Sequence, residues 1–302
     1  MAPVYKVALI QLHPQPVFPA ENFAKAISFI KDAAKQGCHL AVLPEYHLTS
    51  WVPDDPQFRQ SCTESMKYLD KYQALAKELS ICILPGTIVE VHADDNSSTS
   101  SEGPSMLNVA YFISSSGDVV GRYQKKNLWH PERHHLVSSA HDPHEAFDTP
   151  LGRVGMVACW DLAFPEAFRE LISDGAEIIC VPSFWTMKDV NDEGWDLNNN
   201  GEAEFLNSAV VTRAFENTCA VIFVNAGGPA EKGEKTNFAG LSQLALPHMG
   251  SVGRMGRAEG MNIVELDKDV LRIGEENYKV REDMKREGWH YAYTRIREGG
   301  KL

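Results

Sequence analysis

The sequence has no apolar run long enough to cross a membrane. A transmembrane helix needs about 20 consecutive apolar residues, whereas the apolar stretches here have the length of buried strands. The first 12 residues also lack a small-residue cleavage site after their apolar run, which argues against a secretory signal. We therefore expect a soluble, cytoplasmic protein without a membrane partner.

Positive charge is scarce relative to negative charge. The chain has 29 Lys and Arg residues against 41 Asp and Glu residues, so its formal net charge is -12. Affinity for the phosphates of nucleic acid depends on Lys and Arg side chains that neutralise them. The charge balance therefore argues against a nucleic-acid partner.

Cysteine pairs with C-x-x-C spacing are absent, although the chain has six cysteines. They are widely spaced, and most lie within apolar strand patterns: Cys38, Cys62, Cys82, Cys159, Cys180 and Cys219. This spacing gives no redox or zinc motif and favours the reduced thiols of a cytosolic protein.

Patterns typical of metal sites are weak. Five histidines lie between residues 130 and 144, but their spacing fits neither one helix face nor a zinc motif, so we interpret the segment as a polar loop over a site entrance. Asp196, Asn198, Asn200 and Gly201 match the opening of a calcium loop, yet its twelfth position is Asn207 instead of Glu. We interpret this second segment as a helix entry rich in capping residues.

The remaining composition, 43% hydrophobic and 23% charged, is that of an ordinary globular protein. Residues 4–123 and 154–267 repeat one order of patterns, namely strand, helix, strand, helix and three strands. Two such halves, each a sheet with two helices on one face, bury their bare faces against each other and give an α/β fold, the α-β-β-α sandwich. We predict one domain over residues 1–285 and a tail over 286–302 that packs on another subunit or on its own.

Residues 154–171 read VGMVACWDLAFPEAFREL and join a strand pattern to a helix pattern. Residues 154–158 suit a buried strand, and Pro165 occupies a first-turn position of the helix. A thiol at the junction lies near the positive end of the helix dipole, which favours the thiolate, and backbone N–H groups there can face an oxyanion. Cys159 is therefore either a nucleophile or a small buried core residue.

Glu45 and Lys125 directly follow predicted strands, as Cys159 does. The carboxyl ends of strands form the edge at which α/β proteins build their sites. If the three side chains meet, Cys159 attacks a carbonyl carbon, Glu45 takes its proton and Lys125 stabilises the oxyanion. Taken singly, each charged residue also has an ordinary interpretation: Glu45 as a solvated loop carboxylate and Lys125 as a surface lysine.

Three motifs in this order resemble the nitrilase superfamily of carbon-nitrogen hydrolases: LAVLPE ending at Glu45, GRYQKKNL around Lys125 and GMVACWDLAFPE around Cys159. The resemblance extends over about residues 4–283 and includes the segments LNVAYFISSSGDVVGRY, RAFENTCAVIFVNAGG and FAGLSQLALP. It implies an α-β-β-α fold, a Glu-Lys-Cys triad, no metal, no organic cofactor, and assembly into homodimers or larger homo-oligomers.

The same resemblance implies a second glutamate that positions the substrate and the triad. Glu132, seven residues after Lys125, is the candidate, and a helix cap or a surface residue is the alternative for it. The expected reaction proceeds through a thioester on Cys159, with the oxyanion held by Lys125 and by the backbone N–H of Trp160.

The residues after the nucleophile, Cys-Trp-Asp and then Phe-Pro-Glu, are more similar to amidases and N-carbamoyl amidohydrolases than to nitrilases, which commonly read Cys-Trp-Glu. We therefore expect hydrolysis of a non-peptide C–N bond in a small amide or N-carbamoyl compound, with a nitrilase and a non-catalytic scaffold as alternatives. Leu162 and Ala163 replace the pair usual in carbamoyl-processing relatives, which leaves the substrate group open. Trp160, Phe184 and Trp185 are expected either to line the substrate pocket or to be core aromatics.

Overall fold

Two β-sheets at the centre of the molecule pack face to face. The computed structural model describes residues 2–92, 105–229 and 237–289. The strands in these ranges are β1 (Val4–Gln11), β2 (Leu40–Val42), β3 (Cys82–Leu84), β4 (Thr87–His92), β5 (Ser105–Ile113), β6 (Val119–Gln124), β7 (Phe147–Thr149), β8 (Gly152–Met156), β9 (Ile178–Ser183), β10 (Ala220–Asn225), β11 (Gln243–Leu246), β12 (Gly250–Val252) and β13 (Gly260–Asp267). The first sheet has the order β13-β1-β2-β3-β5-β4, with β6 paired to β5, and the second has the order β12-β11-β10-β9-β8-β7.

Each sheet has a parallel centre. Strands β1, β2 and β3 run parallel in the first sheet, and β8, β9 and β10 run parallel in the second. These strands read as nearly continuous apolar runs because both of their faces are covered. Their carboxyl ends therefore meet at one edge of each sheet, which is where the candidate residues follow.

Helices cover the outer faces of both sheets. The helices of the described chain are α1 (Pro19–Lys35), α2 (Phe58–Ser65), α3 (Lys67–Leu79), α4 (Pro165–Ser173), α5 (Asp192–Leu197), α6 (Gly201–Glu216), α7 (Lys268–Tyr278) and α8 (Val280–Met284). Apolar residues of α1 and α3 pack on the first sheet, and those of α4 and α6 pack on the second. The helix-free faces share one core that includes Leu9, Val42, Ile178 and Ile222, all fully buried. The predicted α-β-β-α sandwich is confirmed.

Strand β13 departs from the predicted separation into two halves. It follows the second half along the chain, yet it pairs antiparallel with β1 over the whole length of that strand, from Val4 opposite Asp267 to Gln11 opposite Gly260. The expectation that each half forms its own complete sheet is wrong at this strand. The pairing supplies backbone partners to an edge of the first sheet and ties the two halves together.

The C-terminal part of the described chain is helical, since α7 and α8 cover most of residues 268–284. Trp289 lies in the described part of the predicted tail and is 38% exposed. Most of the predicted tail, residues 290–302, lies outside the described residues, as does the polar segment over residues 93–104 that we expect to be a loop. In the part of the chain that the structure describes, no helix is long and apolar enough to cross a membrane.

Candidate active site

Glu45 lies in the loop that follows β2, where Pro44 prevents the strand from continuing. Its side chain is fully buried, and its Oε1 accepts a hydrogen bond of 2.8 Å from Nδ2 of Asn108 on β5. The next residue, Tyr46, has a positive φ of 51°, and its backbone N–H donates to Oγ1 of Thr87 at 3.1 Å. This sharp turn directs the carboxylate inward instead of leaving it in solvent.

Lys125 follows β6 directly and is also buried, with 1% of its side chain exposed. Its Nζ donates to Oε1 of Glu45 at 2.9 Å and to Oε1 of Glu132 at 2.8 Å. Its backbone N–H donates to the carbonyl oxygen of Asn108 at 2.9 Å, which fixes the base of the side chain on β5. The structure therefore brings Glu45, Lys125 and Glu132 together in one buried cluster.

Glu132 makes two sets of hydrogen bonds, one to its own loop and one to the buried cluster. It lies in the 3-10 helix His130–His134, and its Oε2 accepts the backbone N–H of Trp129 at 2.7 Å, as a helix cap does. Its Oε1 faces the other way and accepts hydrogen bonds from Lys125 and from the hydroxyl of Tyr46. One carboxylate thus holds both the loop and the ammonium group.

Cys159 begins the 3-10 helix Cys159–Ala163, three residues after β8 ends. Its positive φ of 47° makes a sharp turn, and the buried residue lines a cavity. The thiol approaches the Glu45 carboxylate, interacts with the charge of Lys125 and receives a backbone hydrogen bond from Phe184. Oε2 of Glu45 is buried and has no hydrogen bond of regular geometry within the described chain.

Asp161 holds the turn that carries Cys159. Its Oδ2 accepts the backbone N–H of Ala158 at 2.9 Å and the hydroxyl of Tyr123 at 2.6 Å, while its Oδ1 accepts the backbone N–H of Asn127 at 2.9 Å. The fully buried carboxylate therefore joins the Cys159 turn to β6 and to the loop after Lys125. In the sequence, Asp161 only distinguishes amidases from nitrilases. These hydrogen bonds could not be predicted from the sequence.

The pKa values of the cluster are set by burial and by mutual charge. Burial is the largest cause that raises the pKa of Glu45 to about 7, and Glu132 adds to the rise while Lys125 opposes it. The two carboxylates raise the pKa of Lys125 well above its usual range despite the burial of its ammonium group. Burial and the charge of Glu45 raise the pKa of Cys159 well above that of a free thiol. Burial thus opposes the thiolate that a position at the start of a helix favours.

A cavity of about 550 Å³ opens beside the cluster. Trp160, Phe184 and Trp185 all line it, as expected of the substrate pocket. Other lining residues were not singled out from the sequence, since isolated aromatics and acids gave no motif: Tyr46, Trp51, Trp129, Asp189, Glu202 and Phe205. A volume of this size suits a small organic ligand.

The segments with weak metal patterns have other structural roles. His144 is buried and contacts Glu170 at 2.8 Å through Nδ1, which differs from the predicted position over a site entrance. In the calcium-like segment, Nδ2 of Asn198 and Nδ2 of Asn200 both donate to Glu204 on α6. Among the residues that the structure describes, no group of three or more His, Cys, Asp or Glu is arranged to hold a metal ion.

Comparison with known proteins places this chain in a family. The family model described as Carbon-nitrogen hydrolase matches residues 6–273. A nitrilase from Pyrococcus abyssi is 26% identical over 274 residues, covering 88% of this chain and 91% of that protein. A deaminated glutathione amidase from Synechocystis sp. is 25% identical over 281 residues, covering 89% of this chain and 93% of that protein.

A solved carbon-nitrogen hydrolase from Helicobacter pylori has the same fold. The two structures agree with a TM-score of 0.77 at 18% identity, over 93% of this chain and 95% of that one. The likeness supports the four-layer architecture, and the family match covers all three motifs. The chain belongs to the carbon-nitrogen hydrolase family.

Proposed function

We propose that the protein hydrolyses the non-peptide C–N bond of a small amide or N-carbamoyl compound through a thioester on Cys159. The observation that carries the proposal is the meeting of a buried carboxylate, a buried ammonium group and a thiol at one cavity. Amide hydrolysis needs a nucleophile, a base and a cation for the oxyanion, and these three side chains can serve as such.

In the first half of the proposed reaction, the amide carbonyl carbon lies against the Cys159 sulfur. Because the pKa of Cys159 is raised, the thiol is protonated at rest, and Glu45 takes its proton as the S–C bond forms. Lys125 and the Trp160 backbone N–H stabilise the oxyanion. Glu45 then gives the proton to the departing nitrogen, the C–N bond breaks, and ammonia or an amine leaves.

In the second half, a water molecule attacks the thioester carbon. Glu45 takes a proton from this water as the new O–C bond forms, the S–C bond breaks, and the sulfur recovers its proton. The product is a carboxylic acid, or a carbamic acid when the substrate is an N-carbamoyl compound. A carboxyl group with a pKa of about 7 suits these repeated transfers, since general bases work best when their pKa is near the working pH.

Relatives named as nitrilases support an alternative on the same triad, the conversion of a nitrile to an acid and ammonia. Thiolate addition to a nitrile gives a thioimidate, which needs one water to reach the thioester and a second to release the acid. Amidase is the preferred proposal because the Cys-Trp-Asp sequence is more similar to amidases and because other relatives are named amidases.

The test is ammonia release from a panel of primary amides, N-carbamoyl amines and matching nitriles, with intact-mass detection of the acyl-enzyme. We expect release from amides or N-carbamoyl compounds and an adduct that is absent from Cys159→Ala. Asp161→Ala retains the thiol but loses its fixed position, so we expect its kcat to fall at least about tenfold, a loss of about 1.4 kcal/mol in transition-state binding. Release from nitriles alone would favour the nitrilase, and no release from any compound would favour the non-catalytic alternative.

A further inference from the structure

The cavity beside Cys159 is lined by two carboxylates that do not contact the Lys125 ammonium group. Asp189 lies in the segment after β9, and Glu202 lies in the first turn of α6. The reaction proposed above uses neither of them. Their presence in the cavity therefore requires a reason other than chemistry at the scissile bond.

Both carboxylates are held in fixed positions. Asp189 accepts the backbone N–H of Thr186 at 3.0 Å and the Thr186 hydroxyl at 2.6 Å. Glu202 accepts the indole N–H of Trp185 at 2.6 Å. Each group keeps further acceptor capacity, because a carboxylate has about four lone-pair sites. The two side chains are thus preorganised acceptors at a ligand-sized cavity.

The negative charge of the cavity exceeds its positive charge. Lys125 is already shared between Glu45 and Glu132, and among the described lining residues there is no Lys, Arg or His. Burial and the charge of Glu132 raise the pKa of Asp189, and burial and the charge of Asp189 raise the pKa of Glu202. A cation bound near these two carboxylates would offset the repulsion that Asp189 exerts on Glu202 and part of the desolvation of both groups.

Aromatic rings connect this acidic pair to the nucleophile. Trp160, the residue after Cys159, contacts Trp185 with ring centroids 5.6 Å apart, and Trp185 contacts Phe205 at 5.5 Å. Tryptophan rings attract cations through their π faces, and they also pack well on an alkyl chain. The wall from Cys159 to Glu202 therefore suits an apolar spacer that ends in a positive charge.

We propose that Asp189 and Glu202 form a specificity pocket for a protonated amine. The substrate is then a small amide or N-carbamoyl compound with an ammonium group at the end remote from the scissile C–N bond. This inference rests on the proposed hydrolase function and narrows it to cationic substrates.

The test compares three primary amides of matched shape and different charge. They are 5-aminopentanamide, which is cationic, hexanamide, its neutral isostere, and glutaramate, an anionic amide of the same chain length. We expect kcat/KM for the cationic amide to exceed that for the neutral one by at least about tenfold, and the anionic amide to be the poorest substrate. Binding of the same three compounds to Cys159→Ala by calorimetry should give the same ranking without turnover.

Glu202→Gln removes the charge and retains an acceptor for the Trp185 indole. We expect it to reduce the ratio of kcat/KM between the cationic and the neutral amide by about tenfold, mainly through KM. Glu204→Gln is the matched control, because Glu204 lies on the same helix, is exposed and does not line the cavity. It should leave the ratio unchanged.

Two outcomes would overturn the inference while leaving the hydrolase proposal intact. One is that the neutral or the anionic amide is turned over and bound at least as well as the cationic amide. The other is a fall of all three kcat/KM values by the same factor in Glu202→Gln, which would make Glu202 only a support for Trp185. If neither these amides nor any in the wider panel released ammonia, the proposed function itself would fail. Calorimetry would still decide whether the cavity prefers a cation.

Discussion

Glu45 has a pKa that makes its protonation state sensitive to pH in the neutral range. The carboxyl group must be deprotonated to take the Cys159 proton, so kcat/KM should rise as pH increases through about 7 and level off above it. Because Glu132 raises the pKa of Glu45, Glu132→Gln should shift the rising limb of the profile to lower pH. The measurement is kcat/KM against pH with an amide substrate.

Glu166→Gln is the control for this pH profile, because Glu166 is an exposed carboxylate in the first turn of α4. It should leave the position of the limb unchanged. A limb that stays in place or moves to higher pH in Glu132→Gln would contradict a role for Glu45 as the titrating base.

The candidate site residues at the strand ends could be identified from the sequence, since charged or nucleophilic residues directly after buried strands are unusual. The protonation state of Cys159 could not. Backbone position suggested a stabilised thiolate, but burial and the charge of Glu45 oppose it, and Glu45 lies far from Cys159 along the chain. Contacts of Asp161 and Tyr46 were likewise hidden, because their partners lie on distant segments.

The connection between β3 and β4 packs against the loop that carries Glu45. Gly86 lies between these strands with φ +58°, and a Cβ at this position would come within 1.8 Å of the carbonyl oxygen of Pro44, the residue before Glu45. Gly86→Ala therefore requires a backbone shift in the loop that positions Glu45. We expect a loss of stability of more than about 2 kcal/mol, since a left-handed alanine alone costs about 1 to 2 kcal/mol. We also expect kcat to fall. Urea unfolding and steady-state kinetics measure the two effects.

Gly37→Ala is the matched control for Gly86→Ala. Gly37 also has a positive φ, of +74°, but no atom lies within 4 Å of the place that the alanine methyl group would take, so only the backbone strain remains. This variant should lose about 1 to 2 kcal/mol and keep its kcat. Equal losses in both variants would show that contact with Pro44 is unimportant.

The elements that the sequence predicts well are those with a strong pattern. Apolar spacing predicts a hairpin over residues 107–123 and helices over residues 21–36 and 202–216. The hairpin of β5 and β6 and the helices α1 and α6 lie close to these positions, because the spacing marks their buried sides. Helix α7 was missed, since only Leu271 and Gly274 of its eleven residues are buried. The segment is polar overall, and a polar segment is readily interpreted as a loop.

At the scale of the whole molecule, the layered architecture could be predicted because each predicted half is a sheet with helices on one face only. Its other face must be buried against the second half. The pairing of β13 with β1 could not be predicted. Local pattern identifies a strand, but it does not specify a partner that lies about 250 residues away along the chain. The addition of the last strand to the edge of the first sheet thus depends on the complete fold.

The predicted tail over residues 286–302 is a proposal about assembly, and it can be tested at this same scale. Trp289 remains 38% exposed, while Tyr291 and Tyr293 add two more aromatics among charges, a composition that suits packing on a second subunit. Truncation after Lys285 should therefore reduce the number of subunits in the homo-oligomer, measured as molar mass by light scattering after gel filtration. The truncated chain should keep the circular dichroism spectrum and the Tm of the full-length protein.

Leu197→Ser is the control for the truncation, because Leu197 is 88% exposed on α5 and its replacement removes apolar surface elsewhere. It should leave the oligomer mass unchanged. Because the described helices α7 and α8 end at Met284, the truncation removes none of the helices and strands that the structure describes, and a change in the number of subunits would report on assembly. An unchanged mass, or a full-length chain that is already monomeric, would mean that the tail does not join subunits.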